Sequence, residues 1–354
     1  MKNSIIFSTI CFALVRGVFL LLLIQISSLS GVAQDIHFSQ FFETPLLRNP
    51  ALAGLFSGDL RIQGVYRNQW NSVTMPYQTV SLNGEYKLPI GKSNDFITLG
   101  GEILYDKAGS LALTTTHVLP VLNYHKSLNR ERNMYLSLGF MGGLVQRNID
   151  RSKITTNSQF NGMGFDPSLS NGEVFSSNGF SYFDASTGLS LNTQIGSNED
   201  DNVFVGIGYQ HFNKTARVSF YDDPSLTLLP KWVLSGGARM SMTDYSFVTF
   251  QADYSTQGPS TEIIGGLLYS YKIDDPSVPK YILHGGAFIR WKDAIIPVLK
   301  MEYKPMSVAM SYDINISSLK VASSGRGGVE MSLSYQIFFD RNNSTREAVL
   351  CPRF

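Results

Sequence analysis

The sequence predicts an all-β chain, a transmembrane antiparallel β-barrel of the outer membrane with about fourteen strands, an N-terminal non-strand segment and a short C-terminal tail. Three observations carry this reading. Apolar and polar residues alternate with period two over runs of about ten residues, the length a tilted strand needs to cross a bilayer. Only 16% of the 354 residues are charged while 12% are aromatic and 31 are glycine, against about 25% charged in an ordinary soluble protein. A leader with the layout of an export signal precedes the alternating region.

The leader comes first. Met1 to Ala33 carries Lys2, an apolar stretch through Ile24 interrupted by Arg16, and the small residues Gly31-Val32-Ala33. Residues 1–33 therefore read as a cleavable secretory signal peptide. An N-terminal membrane anchor is the competing reading, but Gly17 to Ile26 is short for a span and no stop-transfer flank follows. Losing Lys2 and Arg16 would bring the 29 basic residues to 27 against 28 acidic ones. So balanced a chain excludes a nucleic-acid partner, which requires clustered Lys and Arg. Cys11 leaves with the leader, and Cys351 alone makes no intramolecular bridge.

Residues 34–57 show no alternation, and Asn49-Pro50 cannot sit inside a paired strand, because proline lacks an amide proton and restricts its predecessor. This segment is expected to precede the first strand, either folded inward as a plug or lying along the periplasmic rim.

Residues 58–339 are assigned to the barrel. Met306, Val308, Met310, Tyr312, Ile314 and Ile316 alternate with Ser307, Ala309, Ser311, Asp313, Asn315 and Ser317. Val329 to Ile337 and Met134 to Met141 repeat the pattern, and eleven further candidates lie near 58–68, 77–88, 95–106, 112–126, 181–194, 202–213, 231–242, 245–255, 260–272, 280–291 and 293–304. Tight-turn groups such as Asn129 to Asn133, Met242 to Asp244 and Asp274 to Pro276 alternate with the long polar connections Ile149 to Asn178 and Lys214 to Leu229. Short turns on one rim and long loops on the other fit an outer-membrane barrel. A soluble sandwich or lipocalin-like barrel also alternates, but the leader, the strand number and length, and Trp70, Tyr86, Trp232, Tyr271, Trp291 and Tyr303 near strand ends favour lipid. The apolar phase should then face out, so Met310→Arg is expected to cost roughly 2–4 kcal/mol and Ser311→Arg to be better tolerated. Glycine pairs at 100–101, 142–143, 236–237, 265–266 and 285–286 are read as bends in the wall, with close approach of a plug as the alternative.

The strands end at Phe338-Phe339, and residues 340–354 form a charged stretch that cannot stay in lipid, read as a periplasmic tail whose final apolar residues dock on the barrel or a partner. Cys351 there is read as a buried small hydrophobe, with a reactive or intermolecular thiol as the alternative.

Linear motifs for chemistry are lacking. None of His37, His117, His125, His211 and His284 has the i, i+4 partner of a helical zinc site, and Gly91-Lys92-Ser93 lacks the upstream glycine of a phosphate loop. No cofactor, metal or catalytic residue is assigned. A hydrolase built from separated strands would require His, Ser and Asp side chains to converge, which spacing does not display.

Phe38-Ser39-Gln40-Phe41-Phe42-Glu43-Thr44-Pro45-Leu46-Leu47-Arg48-Asn49-Pro50-Ala51-Leu52-Ala53-Gly54 closely resembles the start of the PorP/SprF family. Gly58-Asp59-Leu60-Arg61, Tyr66-Arg67-Asn68-Gln69-Trp70 and Pro76-Tyr77-Gln78-Thr79 follow in that family's order, and Cys351-Pro352-Arg353-Phe354 is similar to its ending. The resemblance implies a non-enzymatic outer-membrane component of the type IX secretion system of Bacteroidetes, linked to secretion or surface anchoring of large exported proteins such as gliding adhesins. Expected partners are outer-membrane lipid, a secreted cargo protein or its C-terminal domain, and other secretion-machinery or peptidoglycan-linked periplasmic subunits. Asn49, Pro50, Arg67, Gln69, Trp70, Cys351, Pro352 and Phe354 are the candidate plug or partner contacts, Arg67, Gln69 and Trp70 being suited to clamp the N-terminal segment or to stand as an exposed rim cluster. The alternative function is a passive porin or hydrophobic-solute transporter.

Overall fold

The computed structural model describes residues 35–339 except 71–74, 91–93, 175, 197, 199, 216–217, 222–225 and 319. The leader and the tail, with Cys351, Pro352 and Phe354, lie outside the described residues.

Fourteen antiparallel strands form one closed barrel: β1 (Leu60–Gln69), β2 (Tyr77–Pro89), β3 (Phe96–Ala108), β4 (Leu113–Asn129), β5 (Met134–Asn148), β6 (Gly179–Gln194), β7 (Asn202–Gln210), β8 (Lys231–Thr243), β9 (Ser246–Gln257), β10 (Ser260–Ile273), β11 (Tyr281–Arg290), β12 (Ala294–Tyr303), β13 (Met306–Asn315) and β14 (Arg326–Ile337). Each strand pairs with its neighbours in sequence, and β1 closes on β14 with Leu60 opposite Ile337 and Gln69 opposite Gly328. Closure pairs the edges that an open sheet would leave unsatisfied in lipid.

The alternation sets the facing. Met310 is 51% exposed on the outer surface, whereas Ser311 is 2% exposed on the inner one. Val308, Tyr312, Met331, Leu333 and Tyr335 share the outer face, and Asp313, Glu330, Ser332 and Ser334 the inner. Aromatic residues gather at both ends of the apolar band: Tyr209 stacks on Trp232 at 4.2 Å and Trp70 meets Tyr77 edge-on at 4.9 Å on one rim, while Tyr281 stacks on Tyr303 at 5.0 Å on the other. Their amphipathic rings suit the two lipid–water boundaries.

Strand polarity defines the rims. The start of β1 and the end of β14 share the short-turn rim with the β4–β5, β8–β9 and β12–β13 turns, while the β5–β6 and β7–β8 connections occupy the long-loop rim. Strand ends differ from the sequence expectation chiefly in β5, which continues to Asn148, and β14, which begins at Arg326. Gly142-Gly143 and Gly327-Gly328 carry no side chain to mark a face, so the alternation fades there while the ladder continues.

The glycine pairs serve the wall. A Cβ on Gly143, Gly266 or Gly286 would run into the backbone of the adjacent strand, so these positions let the ladder curve tightly.

Candidate functional site: the occupied lumen

The segment between Ile36 and Phe56 lies inside the barrel. It has no regular period because it turns repeatedly: a 3-10 turn over Phe41–Glu43, one helical turn over Pro45–Arg48 and another 3-10 turn over Pro50–Leu52. Pro45 and Pro50 each open a turn, where a missing amide costs nothing. Asn49 is fully buried; its Oδ1 accepts the Ala51 amide at 2.8 Å and its Nδ2 donates to the Leu189 carbonyl at 3.0 Å. The asparagine thus caps the following turn and ties it to β6.

Polar wall residues hold the segment along its length. Near the long-loop rim, Glu330 accepts the Ser39 and Gln40 amides at 2.7 and 2.6 Å. Arg67 reaches Glu330 and lies 3.2 Å from Asp313, while its Nη1 donates to Ser39 Oγ at 3.0 Å. Arg290 also donates to Ser39. Midway, Glu43 accepts from Lys300 Nζ at 2.8 Å and from Gln63. Arg48 binds Asp253 and Gln251, and Gln210 donates to the Leu47 carbonyl at 2.6 Å. Asn123 takes the Ala51 and Ala53 carbonyls at 2.9 and 2.8 Å, and Ser190 donates to Ala51. Near the short-turn rim, Glu85 accepts the Gly54 amide at 2.7 Å and pairs with Arg61, while Lys87 donates to the Phe56 carbonyl. With the Ser39 hydroxyl donating to Asp313 on β13 at 2.8 Å, these bonds involve ten strands, so the segment crosses the lumen from the long-loop rim to the short-turn rim.

Apolar side chains fill the intervals. Phe41 and Phe42 pack on Phe288 at 5.3 and 5.0 Å with Ile264, Leu268 and Ile296, and Leu46 and Ala53 pack with Leu119, Val121 and Met141. The closest backbone approach falls on unpaired glycines rather than on the glycine pairs. A Cβ on Gly139 would enter the Pro50–Ala51 peptide, and one on Gly188 would strike the side-chain amide of Asn49.

Among the residues singled out from sequence, Asn49 and Pro50 lie in the segment itself, and Arg67, 2% exposed, holds it from β1 at Ser39. Gln69 ends β1 between Tyr77 and Gly328, and Trp70, at φ 61°, packs on Tyr77. Sequence reasoning missed Glu43, Arg48, Glu85, Asp253, Lys300 and Glu330. Their signal was available, since each strand member of that set is an ionisable residue in the polar phase of the alternation.

A serine, a histidine and a carboxylate do converge on the lumen wall. Ser270 Oγ lies 2.7 Å from His284 Nδ1, and His284 Nε2 is 3.3 Å from Glu302 Oε1 without hydrogen-bond geometry. Ser270 is fully buried, so its hydroxyl has no approach for a substrate. No group of three or more His, Cys, Asp or Glu arranged to hold a metal occurs among the described residues.

Solved structures similar to this chain include the TodX monoaromatic hydrocarbon channel in a deltaS2 mutant form, at 11% identity and TM-score 0.49 over 84% of this chain and 94% of that one. The CymD monoaromatic hydrocarbon channel aligns at 12% identity and TM-score 0.46, over 84% of this chain and 94% of that one. A Pseudomonas aeruginosa FadL homologue aligns at 10% and 0.46, over 83% and 94%. A search of curated proteins returned no match. The family model described as type IX secretion system membrane protein PorP/SprF matches residues 30–335. That match spans the plug and nearly the whole barrel, and the chain belongs to the PorP/SprF family of type IX secretion system membrane proteins.

Proposed function

We propose that this protein is a non-enzymatic outer-membrane barrel that supports type IX secretion or surface anchoring of large exported proteins, gliding adhesins among them. In this reading it engages a secreted cargo protein, or that protein's C-terminal domain, together with other machinery or peptidoglycan-linked periplasmic subunits. The supporting observation is the occupied lumen. A chain segment hydrogen-bonded to ten strands, with ion pairs at Arg48 and Glu43 and a hydrogen bond from Arg67 to Ser39, is built as a fixed part of the barrel. Partners are then met at the rims, because the interior surface is spent on the protein's own chain. The buried Ser270 hydroxyl likewise favours a binding role over hydrolysis.

The passive porin or hydrophobic-solute transporter needs the plug to leave a path. The two readings separate in paired experiments on the wild-type protein. Affinity purification from gently solubilised outer membranes should recover an exported protein or a machinery subunit, and planar bilayers should show little conductance until residues 36–57 are deleted. Steady wild-type conductance with no protein recovered would reject the secretion reading in favour of the porin.

A further inference from the structure

One stretch of the inner wall is left with oxygens pointing at no donor. Gln63 on β1 stands opposite Asn83 on β2, and Asn83 stands opposite Glu102 on β3. The three side chains stand in one cross-strand row on the inner face, and each is 2% exposed. Gln63 Oε1, Asn83 Oδ1 and Glu102 Oε2 have no hydrogen-bond partner among the described residues. The second Glu102 oxygen accepts the Ser81 hydroxyl at 2.7 Å. Gln63 Nε2 donates to Glu43, which fixes that amide with its oxygen turned away from the plug carboxylate.

Three buried acceptors in a row demand something electropositive, because an unmet buried oxygen is costly and an unbalanced buried carboxylate far more so. Glu102 has no ion pair among the described residues. The bases nearby are committed: Arg61 lies 2.6 Å from Glu85, and Lys300 2.8 Å from Glu43. We propose that Gln63, Asn83 and Glu102 form a binding site for a hard monovalent cation of the sodium class.

The chemistry selects the ligand. One carboxylate and two amide carbonyls are hard oxygen donors, which suit alkali and alkaline-earth ions rather than thiophilic metals. A single uncompensated negative charge is neutralised by one positive charge, which favours a monovalent ion over a divalent one. Reach is adequate. Adjacent strands lie about 4.8 Å apart, the wall is concave towards the lumen, and Gln63 and Glu102 have longer side chains than the Asn83 between them. Bound there, the ion would tie β1, β2 and β3 together between the plug contacts of Arg67 above and Glu85 below. This inference does not depend on the secretion reading.

The full-length protein in detergent can be melted in buffers where sodium chloride replaces choline chloride at constant ionic strength. Wild type should show a melting temperature that rises with sodium and saturates, as expected for a ligand bound only by the folded state. Glu102→Gln should abolish that rise whatever its own starting stability, and Asn83→Leu should raise the half-saturating sodium concentration at least tenfold. A wild-type curve flat in sodium would overturn the site, as would a Glu102→Gln variant that keeps the full response. If Glu102→Gln does not assemble, Asn83→Leu decides in its place, an unchanged half-saturation counting against the proposal.

Discussion

Arg48 in the plug and Asp253 on the inner face of β9 form a two-point ion pair, Nε donating to Oδ2 at 2.7 Å and Nη2 to Oδ1 at 2.6 Å. Both side chains are buried, and the guanidinium also lies 4.8 Å from the centre of the Phe41 ring. Fork geometry satisfies several guanidinium donors at once, which lysine does not reproduce. Arg48→Ala leaves Asp253 charged and unpaired in the lumen and should destabilise the folded barrel by about 3–5 kcal/mol. Arg48→Met with Asp253→Leu should recover much of that loss. Urea unfolding in detergent micelles measures both, and equal stability of Arg48→Ala and wild type would show that the pair does not hold the plug.

The outer and inner faces of β13 should respond differently to a charge. Met310→Arg places a guanidinium in lipid at a cost of roughly 2–4 kcal/mol near the bilayer centre, so the heat-modifiable folded band on a gel should weaken. Ser311→Arg is not the mild change that a wet lumen would permit. Ser311 is 2% exposed and accepts from Gln40 Nε2 at 3.1 Å, so a larger side chain there displaces the plug. Its expected phenotype is an assembled barrel whose N-terminal segment is cut faster by protease. A Ser311→Arg protein as resistant as wild type would contradict that packing.

This contrast marks where sequence stops being informative. Period-two alternation located the strands because lipid and lumen impose opposite demands on successive residues, and Met310 and Ser311 sit on the faces so assigned. Asn49-Pro50 excluded the plug from the wall for an equally local reason. An inward plug was one of two placements open to that segment, but the contacts that hold it were not legible, since Arg48 and Asp253 are 205 residues apart and Ser39 and Glu330 are 291 apart. No local pattern couples such positions. The polar phase reads identically whether it meets water or a buried segment, so the packed character of Ser311 stayed hidden. The residues that receive the plug most closely, Gly139 at its backbone and Gly188 at the Asn49 side chain, look in sequence like any other strand glycine.

Acid should weaken the short-turn rim at Asp95. Its Oδ2 accepts from Lys126 Nζ at 2.7 Å and from the Tyr124 hydroxyl at 2.8 Å, and its Oδ1 accepts the Ser127 amide at 2.9 Å. Burial pushes the carboxyl up, but these donors outweigh it and hold it at about 2, against an ordinary 3.8. A folded-state value below the unfolded one means the stabilisation is complete above about pH 4 and is lost as pH falls through 2. Asp95→Asn should therefore lose about 1 kcal/mol at neutral pH, a modest figure because solvent screens the half-exposed Lys126. The variant should also lose part of the wild-type decline between pH 4 and 2. Parallel acid profiles for the two proteins would remove Asp95 as the source.

The backbone of the plug passes so near the wall at Gly139 that the side chain there is a switch for occupancy. Gly139 lies on β5 between Ser137 and Met141, facing inward, and any Cβ at that position would meet the Pro50–Ala51 peptide. Pro50 cannot yield by rotating, because its ring fixes φ and Asn49 is tied to Leu189 and to the Ala51 amide. Gly139→Leu therefore leaves the β5 ladder intact, since leucine is tolerated in a strand, while forcing the segment from its seat. We expect a barrel that still inserts and resists heat in detergent, an N-terminal segment open to protease, and planar-bilayer conductance well above wild type. Gly139→Ala should show the same changes to a smaller degree. If Gly139→Leu keeps a protected plug and a silent bilayer trace, the close approach of Pro50 to β5 does not exist in the membrane, and the glycine must be explained by wall curvature alone.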